Sequence, residues 1–156
     1  MVSDAGISSK AEDYLRAIYE IVNKKGFVRI KDIARELGVK PPTVVEMMKK
    51  LDAKGLVDYE KYGGITLTAR GLQIAELIEN RHETFKNFLE ILLVPKDVAL
   101  KDAHILEHEL TSKTIQQFSY FVDFISDHSE RPMFMKRWLN EFEKYCERKS
   151  LKEKNA

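Results

Sequence analysis

What the chain lacks narrows its chemistry first. A single cysteine, Cys146, excludes any disulfide within the chain. No apolar run approaches the ~20 residues that a membrane-crossing helix needs. Met1 to Gly6 carries no basic stretch leading into an apolar one, so no secretory signal is visible there. The expected location is the cytoplasm, with no membrane partner. An excess of one charge sign is also missing: the net charge is +1. Residues 1–70 hold 13 Lys and Arg against 10 Asp and Glu, and residues 71–156 hold 13 against 15. A surplus of three cations does not by itself predict nucleic acid, so any such prediction must rest on where the cations stand. What is present is ordinary for a globular chain. It is 44% hydrophobic and 33% charged, and its 156 residues can bury a core in one large domain or two small ones.

The few glycines and prolines fall where apolar periodicities stop. Ser8 and Ser9, followed by Glu12 as a capping acid, open a helix carrying Tyr14, Leu15, Ile18, Tyr19, Ile21 and Val22 up to Gly26. Phe27 to Arg29 is extended. Ile30 to Leu37 predicts a short amphipathic helix ending at Gly38. Pro41 and Pro42 suit the first turn of the next helix, where their missing N–H groups cost nothing. That helix runs through Val44, Met48 and Leu51 to Gly55. Leu56–Tyr59 and Ile65–Thr68 read as strands joined by a turn at Tyr62-Gly63-Gly64. Helix, helix-turn-helix, hairpin is the winged helix-turn-helix order.

From Thr68 to Val94 the pattern is helical until Pro95. Asp97 is placed to cap a helix ending near Leu110, and Thr111 or Ser112 to cap another through Ile125. Arg131-Pro132 opens a last helix with Trp138, Leu139, Phe142 and Tyr145. Phe118, Phe121, Trp138 and Phe142 recur at helical spacing, which fits a core or a dimer interface better than a ligand pocket.

In a helix-turn-helix the second helix presents its N-terminal residues to base edges in the major groove. Here these are Lys40, Pro42, Thr43, Val45 and Glu46. Pro42 and Val45 offer apolar surface to a thymine methyl, and Glu46 an acceptor to a cytosine amine. Lys49, Lys50, Lys54 and Lys31 are phosphate candidates, and Lys61 and Tyr62 at the wing tip could reach an adjacent backbone or minor groove. The bland alternative is a solvated lysine face. It is the agreement of the whole element order with DNA binding that outweighs it.

His104-Ile105-Leu106-Glu107-His108 puts three metal-ligating side chains at i, i+3 and i+4, on one face of a helix. Imidazole with carboxylate suits divalent ions such as Fe²⁺, Mn²⁺, Co²⁺, Ni²⁺ and Zn²⁺. A third histidine, His82, lies in the apolar helical segment upstream, whereas His128 and Cys146 read as structural or exposed. Chance histidines on a surface face are the plain alternative. His-x-x-Glu-His is also the inverted zinc-protease motif, with the glutamate activating water. A protease needs a further ligand and a substrate cleft, which a chain of this size carrying a winged module leaves little room for.

At these residues the chain resembles a family, the metal-dependent repressors that include the diphtheria toxin repressor, the iron-dependent regulators and the manganese transport regulators. The resemblance rests on Glu12 to Tyr19, Ile33-Ala34, Pro42-Thr43-Val44, Lys54 to Val57, Leu67 to Gly71, Arg81-His82 and Glu107-His108. It covers roughly residues 8–125.

The resemblance implies a mainly α fold: a winged helix-turn-helix DNA-binding domain over 1–70, then an all-helical metal-binding and dimerisation domain over 71–148. A Lys/Glu-rich tail, 149–156, is expected to fray, and no SH3-like domain is expected. It implies a homodimeric repressor, not an enzyme, that binds operator DNA when loaded with a divalent metal and controls metal-homeostasis genes. The alternative is a metal-independent winged-helix protein whose partner is a protein or small ligand.

Carried over residue by residue, the primary metal site falls on Asp13, His104, Glu107 and His108, and a second site on His82. Iron-type members have Met and Cys where this chain has Asp13 and His104. Manganese-type members have Asp and Glu there, and a further Glu where Arg16 stands. Arg16 is thus iron-type, Asp13 manganese-type, and His104 neither. The iron-type second site also uses positions that here hold Lys86 and Leu100, so a rebuilt one would draw on Glu83 or Glu79. The missing acid at Arg16 argues against a paired manganese site and tilts the expectation to Fe²⁺ over Mn²⁺.

Overall fold

The computed structural model describes residues 6–61, 64–126 and 132–154. Among them the order is α1 (Ser9–Lys25), α2 (Ile30–Leu37), α3 (Pro41–Ala53), β1 (Val57–Glu60), β2 (Gly64–Leu67), α4 (Ala69–Ile91), α5 (Lys96–Glu109), α6 (Ser112–Ser126) and α7 (Pro132–Lys154). The chain forms two compact units divided between Arg81 and His82. The division falls inside α4, whose Ala75 and Ile78 belong to the core of the first unit.

The first unit is a winged helix-turn-helix. Its core gathers Tyr14, Leu15 and Ile18 of α1, Ile33 of α2, Val44, Met48 and Leu51 of α3, and Val57 and Ile65 of the wing. Ser8 caps α1, its hydroxyl accepting from the Ala11 N–H at 3.2 Å. Glu12 is not the capping acid: it lies one residue past that position, and its carboxylate turns to Arg81 of α4. In α2 the capping acid is Asp32, which accepts from the Arg29 N–H at 2.9 Å. The α2–α3 turn closes on Gly38, whose φ of 62° is left-handed, a conformation side chains rarely tolerate. β1 and β2 pair antiparallel, Val57 facing Leu67 and Tyr59 facing Ile65. Both strands are shifted by one residue from the expected spans. The turn residues Tyr62 and Gly63 lie outside the described residues.

Gly71, in the first turn of α4, is required by a close approach. A Cβ there would run into the backbone of Leu56. Thr68 secures the junction, its hydroxyl donating to the Gly55 carbonyl at 2.8 Å and accepting from the Gly71 N–H at 3.0 Å.

Among the described residues, every regular element of the second unit is a helix. Phe118 of α6 sits between Phe85 and Phe88 of α4, with ring centroids 5.4 and 4.7 Å away, so this part of the aromatic set is core. Phe121 and Trp138 are exposed instead, Trp138 stacked on Phe142. α4 ends at Ile91, earlier than expected. Pro95, not Asp97, occupies the cap of α5, and Asp97 falls within its first turn. α7 continues to Lys154, so the tail expected to fray is helical for most of its length. No described helix is long and apolar enough to cross a membrane.

Candidate metal centre and DNA-reading helix

α5 turns its His-x-x-Glu-His face as the spacing predicts. Glu107 is the hub. Its side chain has no exposure, yet it carries a carboxylate, which is expensive to bury unless both oxygens are met. His104 Nδ1 lies 2.9 Å from Oε1 and His108 Nε2 3.4 Å from the same oxygen. His82 Nδ1, from α4, lies 2.9 Å from Oε2. The His104 and His108 rings meet edge to face with centroids 4.9 Å apart. His104 is 43% exposed at its side chain and His108 10%, so solvent reaches the cluster from the His104 side.

The ligand atoms of His104, Glu107 and His108 lie within 4.8 Å of one another, close enough to face one ion. The set is imidazole and carboxylate, the donors that borderline divalent ions take. A buried carboxylate ringed by imidazoles also supplies the negative charge that a dication needs. The residues therefore fit such an ion.

His82, the residue expected at a second site, faces the same carboxylate. It is buried, and the partner it meets is Glu107. Glu83, one candidate for rebuilding a second site, is held by the Lys86 ammonium at 2.7 Å. The link from His82 to Glu107 spans 25 residues, and no local spacing announces it.

Asp13 lies on α1 in the first unit and is half-buried. Its neighbour Tyr14 is buried in the core with its hydroxyl unpartnered. Burial raises the Tyr14 hydroxyl above its ordinary range, and the Asp13 carboxylate adds to the shift. Arg16, one turn on, pairs with Glu20 at 3.5 Å.

The α3 residues expected to meet DNA stand at its N-terminal end and on its exposed face. Lys40 is the cap of α3, with Pro41 and Pro42 in its first turn. Pro42, Thr43 and Glu46 are exposed, and Val45 is half-buried. Val44, Met48 and Leu51 face inward. Lys31, Lys49, Lys50 and Lys61 are exposed, and Lys49 reaches Glu46 at 3.1 Å. Glu46 is thus partly neutralised by its own helix. Tyr62 and His128 lie outside the described residues.

Two family models match in tandem. Residues 6–65 match the iron dependent repressor N-terminal DNA binding domain. Residues 68–132 match the iron dependent repressor metal binding and dimerisation domain. The HTH-type transcriptional regulator MntR of Oceanobacillus iheyensis is 36% identical over 130 residues, covering 83% of this chain and 88% of that protein. Among solved structures, T. acidophilum IdeR superposes with a TM-score of 0.63 at 29% identity, over 70% of this chain and 52% of that one. A manganese-dependent transcriptional repressor in complex with manganese gives a TM-score of 0.66 at 30% identity, over 73% of this chain and 53% of that one. The chain thus spans about half the length of these solved relatives. The hydrolase reading of His-x-x-Glu-His falls away, since the matched domains are those of repressors and not of enzymes. A match to the family's DNA-binding domain followed by a match to its metal binding and dimerisation domain places this chain in the iron-dependent repressor family of metal-dependent transcriptional regulators.

Proposed function

We propose that this chain is a cytoplasmic, homodimeric repressor that binds operator DNA when loaded with Fe²⁺ or Mn²⁺ and thereby controls metal-homeostasis genes. The observation that carries the reading is the buried Glu107 carboxylate with His104 and His108 on the same face of α5. Asp13, His104, Glu107 and His108 would hold the ion, and His82 orients Glu107 through Oε2. When bound, the ion supplies two positive charges and fixed bond directions.

The residues do the rest. Asp13 stands on the same helix that packs against the helix-turn-helix. Sharing one ligand set with α5, it ties a DNA-reading head to the dimerising unit. That tie selects the DNA-fitting form from a two-state equilibrium. In a dimer, Lys40, Pro42, Thr43, Val45 and Glu46 of each protomer then read one half-site, while Lys31, Lys49, Lys50 and Lys61 hold phosphates. Tyr62 at the wing tip is assigned to the same backbone contact.

Fe²⁺ is the preferred ion in this reading. An imidazole-rich set binds Fe²⁺ more tightly than Mn²⁺ in the general order of divalent affinities. The relative solved with manganese points to Mn²⁺ as the rival. Arg16, a cation beside Asp13 on α1, supports one ion per protomer over a pair. Anaerobic titration with Fe²⁺, Mn²⁺ and Zn²⁺, read by binding to a duplex selected from random sequences, tests this. Stimulation by Fe²⁺ at a lower free concentration than by Mn²⁺ is expected, with Zn²⁺, which the same order places above Fe²⁺, as the tight-binding reference. No stimulation by any of the three would overturn the function.

A further inference from the structure

Glu12 and Arg81 form an ion pair that neither capping nor core packing calls for. Glu12 lies on α1, 3% exposed, and Arg81 on α4 with its side chain 19% exposed. Arg81 Nη2 donates to Glu12 Oε2 at 2.6 Å across 69 residues of chain. Both belong to the first unit. Apolar residues of similar volume usually serve stability as well as a buried pair does, or better. This pair is not tuned for stability either: Arg81 Nε is buried with no hydrogen-bond partner.

A short charged hydrogen bond does supply direction. The apolar side chains of α1 tolerate small rotations and slides, whereas the guanidinium accepts the carboxylate only within a narrow geometry. Position makes this consequential. Glu12 immediately precedes Asp13, and Arg81 immediately precedes His82. On a helix one residue is about 100° of rotation and ~1.5 Å of rise, so fixing Glu12 fixes where Asp13 stands and points. The pair also engages the one other carboxylate of the Glu12-Asp13 dipeptide.

We propose that Glu12 and Arg81 are a positioning pair for the metal centre. It makes Asp13, and not Glu12, the carboxylate that α1 offers to a divalent cation. The inference rests on the reading of Asp13 as a ligand.

The test compares Mn²⁺ affinity, read from free Mn²⁺ by electron paramagnetic resonance, with apo-protein melting read by circular dichroism. The full-length Glu12→Leu/Arg81→Met double variant removes both charges and leaves neither uncompensated. It is expected to melt at or above the parent temperature while Mn²⁺ affinity falls about tenfold, the lower end of what removing a supporting partner costs a metal site. Adding Asp13→Ala to that variant should lower affinity little further. A purely structural pair would move melting and leave affinity alone. If the double variant does not fold, Arg81→Lys serves, which keeps the charge and loses the fork; a severalfold weaker affinity with near-parent melting is expected. Parent-like affinity in the folded variant, with Asp13→Ala still weakening binding, overturns the inference alone. Parent-like affinity in Asp13→Ala itself overturns the reading of Asp13 as a ligand, and the inference with it.

Discussion

His82 Nδ1 lies 2.9 Å from Glu107 Oε2, and both side chains are essentially closed to solvent. A histidine on α4 thus occupies one oxygen of the carboxylate on which the α5 cluster is built. The other oxygen faces His104 and His108. In the proposed site Glu107 has two tasks, hydrogen-bond partner of the imidazoles and ligand for the ion. Replacing it by Ala strips His82 of that partner in a buried site, at about 1–3 kcal/mol. Glu107→Ala is expected to lose metal-stimulated DNA binding and to melt several degrees lower. His82→Ala is expected to weaken the metal response without abolishing it. A full metal response in Glu107→Ala, measured by duplex titration, would contradict the assignment.

Gly71 is fixed by the Leu56 backbone and not by its own φ. Gly71→Ala puts a methyl group against that carbonyl, and rigid backbone cannot yield as a side chain would. The expected loss is about 2–3 kcal/mol, on the scale of overpacked cores. Urea unfolding checks it; a loss below 1 kcal/mol would mean that α4 shifts freely against the wing.

Asp32 gives the fold an acid-sensitive joint. The Lys25 ammonium, 2.7 Å away, is the largest cause that holds its carboxyl below the ordinary 3.8, and the Arg29 N–H and the Arg35 charge act in the same direction. A depressed folded-state value means the unfolded chain binds the proton more readily. The stabilisation is therefore complete above pH 3.8 and is lost as pH falls through the folded value. Asp32→Asn is expected to cost about 1–2 kcal/mol at pH 7, the worth of a capping acid with a charged partner, and to flatten the decline in stability below pH 4. An unchanged acid limb of the melting profile would refute this role.

Lys49 and Lys50 stand on the exposed face of α3. As phosphate contacts they should weaken binding to all duplexes about equally. Each Lys→Ala change should also reduce the slope of log affinity against log salt by about one. Loss of discrimination between duplexes at constant salt slope would move these residues from backbone to base contact.

The fold was legible because its periodicities were uninterrupted. Val44, Met48 and Leu51 recur at helical spacing, and they are the residues α3 buries. Gly38 and the Pro41-Pro42 start marked both ends of the helix-turn-helix link. Within the metal cluster, the i, i+3, i+4 face of α5 could be read directly. What could not be read were partnerships across long separations. His82 was visible as a histidine, but its bond to Glu107 depends on how α4 meets α5. Glu12 read as a capping acid because its spacing from Ser9 fits that role locally. The cap proved to be Ser8, leaving the carboxylate for Arg81. Asp97 was misread for a related reason: an acid in the first turn suits the helix dipole whether or not it caps.

The central claim is that an ion held jointly by α1 and α5 controls DNA binding. The most direct measurement is duplex affinity with and without saturating metal, for the parent, Asp13→Ala and His108→Ala. Circular dichroism on each protein establishes that it is folded. The account predicts that the parent binds at least tenfold more tightly with metal, while both variants stay folded and bind equally weakly with or without it. A folded Asp13→Ala or His108→Ala protein that keeps the parent's metal dependence would contradict it.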